Sequence, residues 1–276
     1  MSVILDKELE QRLERLPPFP EAATRALDEL GQDNIDFSRL ERCIGSDQVL
    51  TARVLRIANS PFYGLPRKIV AIKDACILTG APTLRNMIIA SVAMRQFPAN
   101  QAGQLDRAAL WKHSAQCAAF AAEFASIARQ PRDVAFTAGL LHDIGKLALD
   151  ALFPNEYARI FAQGAGLDAE IEVLGTTHAD IGARVAETWR LPQVICDAIA
   201  DHHAPALSNH VTPTDVIYIA NVLGHAMSEG ADGAAAWSRV RDDVCARLAM
   251  GDDERIAVYA RSQALAAIAA KLFDAP

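Results

Sequence analysis

The feature that most constrains this chain is the recurrence of apolar residues at helical spacing in short runs, each closed by Pro, Gly or a capping residue. Asp6 to Leu16 carries the first such run and stops at Pro17-Pro18, whose rings cannot continue backbone hydrogen bonding. The next, PEAATRALDEL, starts near Pro20 and ends at Gly31. DFSRLERCIG is begun by Asp36, and SDQVLTARVLRIAN takes Ser46 or Asp47 as its N-cap and closes at Asn59-Ser60-Pro61. After the loop FYGLPRK, AIKDACILTG and PTLRNMIIASVAM read as further helices, the second starting near Pro82. These runs predict an N-terminal helical subdomain over residues 1–100, bounded by the polar stretch Pro98 to Gln104.

Residues 101–229 predict a second helical core. Its segments are DRAALWKHSAQCAAFAAEFASIA, RDVAFTAGLLHDIGKLALDALF, AEIEVLGTTHADIGARVAETWR, LPQVICDAIADHH and TPTDVIYIANVLGHAMSEG. Residues 230–276 add Ala-rich helices with a charged break at GDDER. Ala, Leu and Ile dominate the apolar positions and aromatics are only 6%, so the expected fold is all-α and an all-β chain is excluded.

A formal net charge of -7 gives no electrostatic footprint for a nucleic-acid backbone, so nucleic acid is not an expected partner. MSVILDKELEQRLERL carries charges in its first turns and does not read as a signal peptide. No run approaches roughly 18 uninterrupted apolar residues, so no membrane partner is expected. Cys43, Cys76, Cys117, Cys196 and Cys245 are scattered without CxxC spacing, which predicts reduced thiols and a cytoplasmic protein.

Five histidines fall within predicted helices or at their ends: His113, His142, His178, His202 and His203, with Asp143 directly after His142. A single helical His is more often a packed or surface residue, and a lone His-Asp pair says little. The whole order is harder to produce by chance. Neutral imidazole and carboxylate suit Fe, Mn, Zn or Ni, and helices can project such groups into a bundle core. Adjacent helical residues point about 100° apart, so His142 and Asp143 would flank an ion near one edge of their turn.

The segments AFTAGLLHDIGKLAL and EVLGTTHADIGARVAETWRLPQVICDAIADHH resemble the core of the HD superfamily of metal-dependent phosphohydrolases, especially its HDOD branch. LPPFP at Leu16 to Pro20 and ARVLRIANSPFYGLPRKIVAIKDACILTG at Ala52 to Gly80 are similar to the HDOD signatures, and the resemblance covers roughly residues 12 to 228. It implies an HD-like helical bundle with an N-terminal helical subdomain, and a metal or ligand pocket formed by His113, His142, Asp143, His178, His202, His203 and Asn221. Lys146 would contact a phosphate oxygen or is simply a solvated helix-end lysine, and Lys146 and Asp143 would be the catalytic candidates.

Catalytic relatives, among them the HD-GYP cyclic-dinucleotide phosphodiesterases, bind two or three metal ions that activate water. Here Asn221 stands where those relatives carry a closing aspartate, HHAP replaces HHE, and no GYP motif follows HDIGK. With Asp143 the only matched carboxylate, one divalent ion or none is expected rather than two. Glu170 or Glu172 would supply a further carboxylate, or both are exposed helix acids. His210 and His225 match nothing and read as incidental. In ANSPFYG, Asn59 and Ser60 suit capping and Pro61 a turn, whereas Phe62 and Tyr63 would alternatively close over a groove.

The resemblance therefore implies a bacterial signal-transduction regulator or scaffold acting through other signalling proteins, with a nucleotide as an alternative ligand. The competing reading is a divergent metal-dependent phosphohydrolase acting on a nucleotide or other phosphate ester.

Overall fold

The computed structural model describes residues 10–15, 18–60, 63–97 and 105–271. Most of the predicted first helix, together with Leu16, Pro17, Pro61, Phe62 and the stretch from Pro98 to Gln104, lies outside them. The chain is all-α, with no strand among the described residues. Its backbone divides into two compact units, Pro17–Gln96 and Phe97–Pro276 with Met1–Leu16.

The first unit contains α1 (Glu21–Leu30), α2 (Phe37–Gly45), α3 (Gln48–Ala58), α4 (Ile72–Thr79) and α5 (Ala81–Gln96). Asp36 caps α2 by accepting from the Ser38 and Arg39 amides, and Asp47 caps α3 through Val49 and Leu50, satisfying donors a helix start leaves open. Gly31 ends α1 with φ -89°, so its left-handed freedom is not used. Leu40, Ile44, Leu50, Val54, Leu84, Met87 and Ile88 are buried.

Asn59, second residue of the ANSPFYG run, closes the loop after α3. Its Nδ2 donates to the Leu55 and Ile69 carbonyls, both at 2.7 Å, and its Oδ1 accepts from the Ile69 amide at 2.6 Å. Asn59→Ala removes both bonds to Ile69, whose side chain is buried. A loss of about 1–3 kcal/mol in urea unfolding is expected; an unchanged midpoint would show that the clasp adds nothing.

The second unit comprises α6 (Arg107–Ile127), α7 (Arg132–Leu141), α8 (Ile144–Leu152), α9 (Pro154–Ala162), α10 (Leu167–Leu174), α11 (His178–Thr188), α12 (Gln193–Ala200), α13 (Pro213–Ser228), α14 (Gly233–Trp237), α15 (Asp242–Leu248) and α16 (Asp252–Ala270). α6 is the axis, packed by α7, α13 and α16. Its buried Ala115, Ala118, Ala119, Ala121, Ala122 and Ala125 let those neighbours approach closely.

The sequence predicts one helix through RDVAFTAGLLHDIGKLALDALF, but the chain breaks it at His142 and Asp143 into α7 and α8. The His142 Nδ1 donates back to the Gly139 carbonyl at 2.8 Å, taking an acceptor from the helix end. His202 and His203 likewise lie just beyond α12. AEIEVLGTTHADIGARVAETWR is also split, at Gly175, whose φ of 73° ends α10. A capping box between Thr177 and Asp180 then starts α11 at His178.

Candidate metal centre

His113 comes from α6, His142 and Asp143 from the α7–α8 junction, His178 from the start of α11, His202 and His203 from the turn after α12, and Asn221 from α13. The structure brings all seven together. Asp143 is the hub. Its Oδ1 lies 3.2 Å from His178 Nε2 and 3.8 Å from His202 Nε2, and its Oδ2 lies 3.5 Å from His142 Nε2 and 4.0 Å from His113 Nε2. His203 Nε2 is 2.9 Å from His178 Nε2, and Asn221 Oδ1 is 3.0 Å from His113 Nε2.

His142 and His202 decide what this arrangement can hold. Each donates its Nδ1 proton to a backbone carbonyl, Gly139 at 2.8 Å and Ile199 at 2.7 Å, so in the neutral ring the lone pair is on Nε2. Both Nε2 atoms are buried and lack a hydrogen-bond partner. A buried unsatisfied nitrogen costs roughly 1–3 kcal/mol, whereas an imidazole with its outer nitrogen fixed in this way is the usual form of a metal ligand. The ligand atoms of His142, Asp143 and His202 lie within 4.8 Å of one another, as do those of His178, His202 and His203. The donor set therefore fits a divalent transition metal.

Lys146 is not a free helix-end lysine, since its Nζ donates to Asp143 Oδ2 at 2.8 Å. Glu170 is buried at 4% exposure. Its carboxylate accepts from the His178 amide at 2.7 Å and from His178 Nδ1 at 2.8 Å, so it orients a candidate ligand from behind instead of entering the cage. The exposed-acid alternative holds only for Glu172. The signal was available: Glu170 lies one turn before buried Leu174, on the inward face of α10, and Glu172 does not.

Two further residues escape the motif. His225, read from the sequence as incidental, lies against His113 with ring centres 4.2 Å apart and the rings tilted by 31°. Cys117 lies one helical turn after His113 on the same face of α6, its Sγ 3.4 Å from His113 Nε2.

Burial dominates the electrostatics. It pushes His113 and His203 down to about 3 and lowers His142 and His202, with neighbouring imidazoles depressing His113, His202 and His203 further. Burial also opposes protonation of His178, but hydrogen bonds to Asp143 and Glu170 outweigh it and raise that ring. Burial likewise opposes ionisation of Asp143, yet Lys146, His142 and His178 hold its carboxyl well below the usual range.

These shifts set a pH dependence for the metal-free protein. Unfolding lets the depressed imidazoles bind protons near 6.5 that the folded state refuses until about 3 at His113 and His203. Their contribution is complete above the unfolded value and is lost as pH falls below it. The raised His178 works in the opposite direction and offsets one of them. Urea unfolding with chelator should show stability falling from about pH 7 to about pH 5, by up to roughly 1.4 kcal/mol per pH unit for each imidazole kept neutral. A flat profile would contradict this account.

A solved structure of a candidate phosphohydrolase from Shewanella amazonensis SB2B superimposes with a TM-score of 0.79 at 25% identity, covering 96% of this chain and 98% of that one. An HDOD domain protein of unknown function from Geobacter sulfurreducens gives 0.69 at 25% identity, covering 95% and 97%. An uncharacterised protein of Treponema pallidum (strain Nichols) is 24% identical over 206 residues, 72% of this chain and 40% of that protein. The chain spans less than half the length of the curated relatives it matches. The HDOD domain matches residues 16–205, which takes in every cage residue but Asn221, and the chain belongs to the HDOD domain family.

Proposed function

We propose that this chain is a bacterial signal-transduction module in which the His/Asp cage holds a single divalent transition metal, in a structural or ligand-sensing role and without hydrolytic turnover. Its output would pass through other signalling proteins. The observation that carries this reading is the charge at the hub. Among the described residues Asp143 is the one carboxylate inside the cage, Lys146 already neutralises one of its oxygens, and the neutral Asn221 amide faces His113. Glu170 adds a second carboxylate only behind His178. With Lys146, 23% exposed, turned to solvent, the two carboxylates balance one divalent ion, whereas a second would leave buried positive charge without a partner.

The competing reading is a metal-dependent phosphohydrolase. It draws on the exposure of the Lys146 side chain, 23%, which leaves an ammonium at the rim within reach of a phosphate group, and on the 25% identity to the candidate phosphohydrolase. A bound ion would supply Lewis acidity and an activated water. A nucleotide held at the same rim without turnover fits the regulatory reading equally.

Anaerobically purified protein reconstituted with Mn or Fe separates the two readings. Metal analysis is expected to give about one ion per chain, with no hydrolysis of a generic phosphodiester or of cyclic dinucleotides. Two ions per chain together with turnover abolished by Asp143→Ala would establish the hydrolase instead.

A further inference from the structure

We propose that Cys117 is a protein ligand of the bound ion, making the centre a mixed sulfur, nitrogen and oxygen site that selects Zn(II), Fe(II) or Co(II) over Mn(II) and Mg(II). This inference rests on the one-ion reading above and adds the metal class to it.

Three observations meet at this side chain. The first is spacing. An ion about 2.0–2.3 Å from each donor of a tetrahedral site sets neighbouring donors roughly 3.3–3.6 Å apart. Cys117 Sγ to His113 Nε2 is 3.4 Å and His142 Nε2 to Asp143 Oδ2 is 3.5 Å, while His113 Nε2 to Asp143 Oδ2 is 4.0 Å. The ligand atoms of His113, Cys117 and His142 all lie within 4.8 Å of one another.

The second observation is the orphaned Nε2 of His142, a wholly buried residue that belongs both to this group and to the His142, Asp143, His202 group. Its lone pair has no hydrogen to accept, on a residue whose ligand atom lies within 4.8 Å of Cys117 Sγ. The third is Gly224 on α13. A Cβ there would sit 2.9 Å from Cys117 Sγ and 3.3 Å from His113 Cε1, so only glycine leaves both side chains where they are.

Like Cys196 and Cys245, whose Sγ atoms lie 3.7 Å and 3.9 Å from the Leu191 and Val240 carbonyls, Cys117 has a backbone carbonyl nearby, Ala220 at 3.5 Å; what sets it apart is the His113 ring nitrogen at 3.4 Å. Its thiol proton makes the carbonyl contact and a thiolate would release it. A thiolate is a soft donor, and soft donors favour Zn(II) and Fe(II) while Mn(II) and Mg(II) prefer oxygen. Electron balance is unchanged: the thiol loses a proton to solvent as the S–metal bond forms.

The test is Co(II) titration of the chelator-stripped chain, followed by absorption spectroscopy, with Mn(II) as competitor. Visible ligand-field bands report that cobalt is bound, and an intense near-ultraviolet sulfur-to-cobalt charge-transfer band reports thiolate ligation. The expected result is both, at about one Co(II) per chain and with little displacement by excess Mn(II). Cys117→Ser should keep the ligand-field bands, lose the charge-transfer band and bind Co(II) at least about tenfold more weakly. Ligand-field bands without charge transfer in the parent protein, or charge transfer that survives in folded Cys117→Ser, overturn the thiolate and leave the one-ion centre standing. No cobalt bound by the parent overturns both. The parent spectrum decides the question even where the variant fails to fold.

Discussion

Gly145→Ala is expected to unfold at a temperature roughly 8–16 °C below the parent and to lose its metal. The reason is the crossing of α8 and α11. A Cβ on Gly145 would lie 1.8 Å from the His178 carbonyl oxygen, 2.8 Å from its carbonyl carbon and 2.7 Å from the Gly182 nitrogen. All three are backbone atoms, so no rotamer change relieves the clash, and the helices must separate by on the order of 1 Å or more in a close-packed interior. Such overpacking belongs with the largest single-substitution effects, above about 4 kcal/mol, which corresponds to about 2–4 °C per kcal/mol in a chain of this size. Because His178 is the first residue of α11, the same displacement carries its Nε2 away from Asp143 Oδ1, now 3.2 Å distant. Gly182→Ala is milder. Its nearest neighbour is the Ile199 Cγ2 methyl at 3.0 Å, which can turn aside, although the Gly145 nitrogen at 3.1 Å leaves little slack. Calorimetry and metal analysis of the two variants check this. A Gly145→Ala protein melting within about 2 °C of the parent would mean that the crossing is looser than described.

That crossing explains why the sequence reveals the site better than its surroundings. Helical spacing and punctuation by Pro, Gly and Asp are local signals, so the all-α class and the starts of α2 and α3 at Asp36 and Asp47 can be read directly. The histidine order is legible because it repeats a specific pattern, and the structure gathers His113, His142, Asp143, His178, His202, His203 and Asn221 around one point. The break between α7 and α8 is not legible, since GLLHDIGKL carries no proline and keeps Leu140, Ile144 and Leu147 at helical spacing, and the bond from His142 to Gly139 that interrupts it is made by a side chain. The role of Glu170 depends on which side of α10 meets the core, and that of Cys117 on the distance between α6 and α13. Both are tertiary facts with only a faint trace in the order of residues.

Asp143→Asn separates the role of the carboxylate in holding metal from any role in holding the fold. The substitution keeps the shape and removes one charge from a residue 2% exposed. In the metal-free protein the balance is close. The variant loses the attraction of Lys146 and His178, but it also relieves the burial of a charge, and the heavy cost of breaking a buried ion pair arises where the remaining charge is left buried and unpaired. The Lys146 ammonium, already 23% exposed, can turn to water. Unfolding with chelator should therefore change by less than about 2 kcal/mol. With metal present the result is different. A ligand that binds only the folded state adds about 2.7 kcal/mol at a hundred times its Kd and about 4.1 kcal/mol at a thousand times. Loss of the Asp143 carboxylate from the cage should weaken binding by at least on the order of 100-fold, beyond what loss of an outer partner produces. The metal-dependent rise in Tm, clear in the parent protein, should then be nearly absent in the variant at the same metal concentration. If Asp143→Asn keeps the full rise, the ion is held by the imidazoles alone and the charge argument for a single metal fails. If instead the metal-free variant is severely destabilised, Asp143 serves chiefly as the anchor of Lys146 and His178, and the cage is a structural ion-pair network.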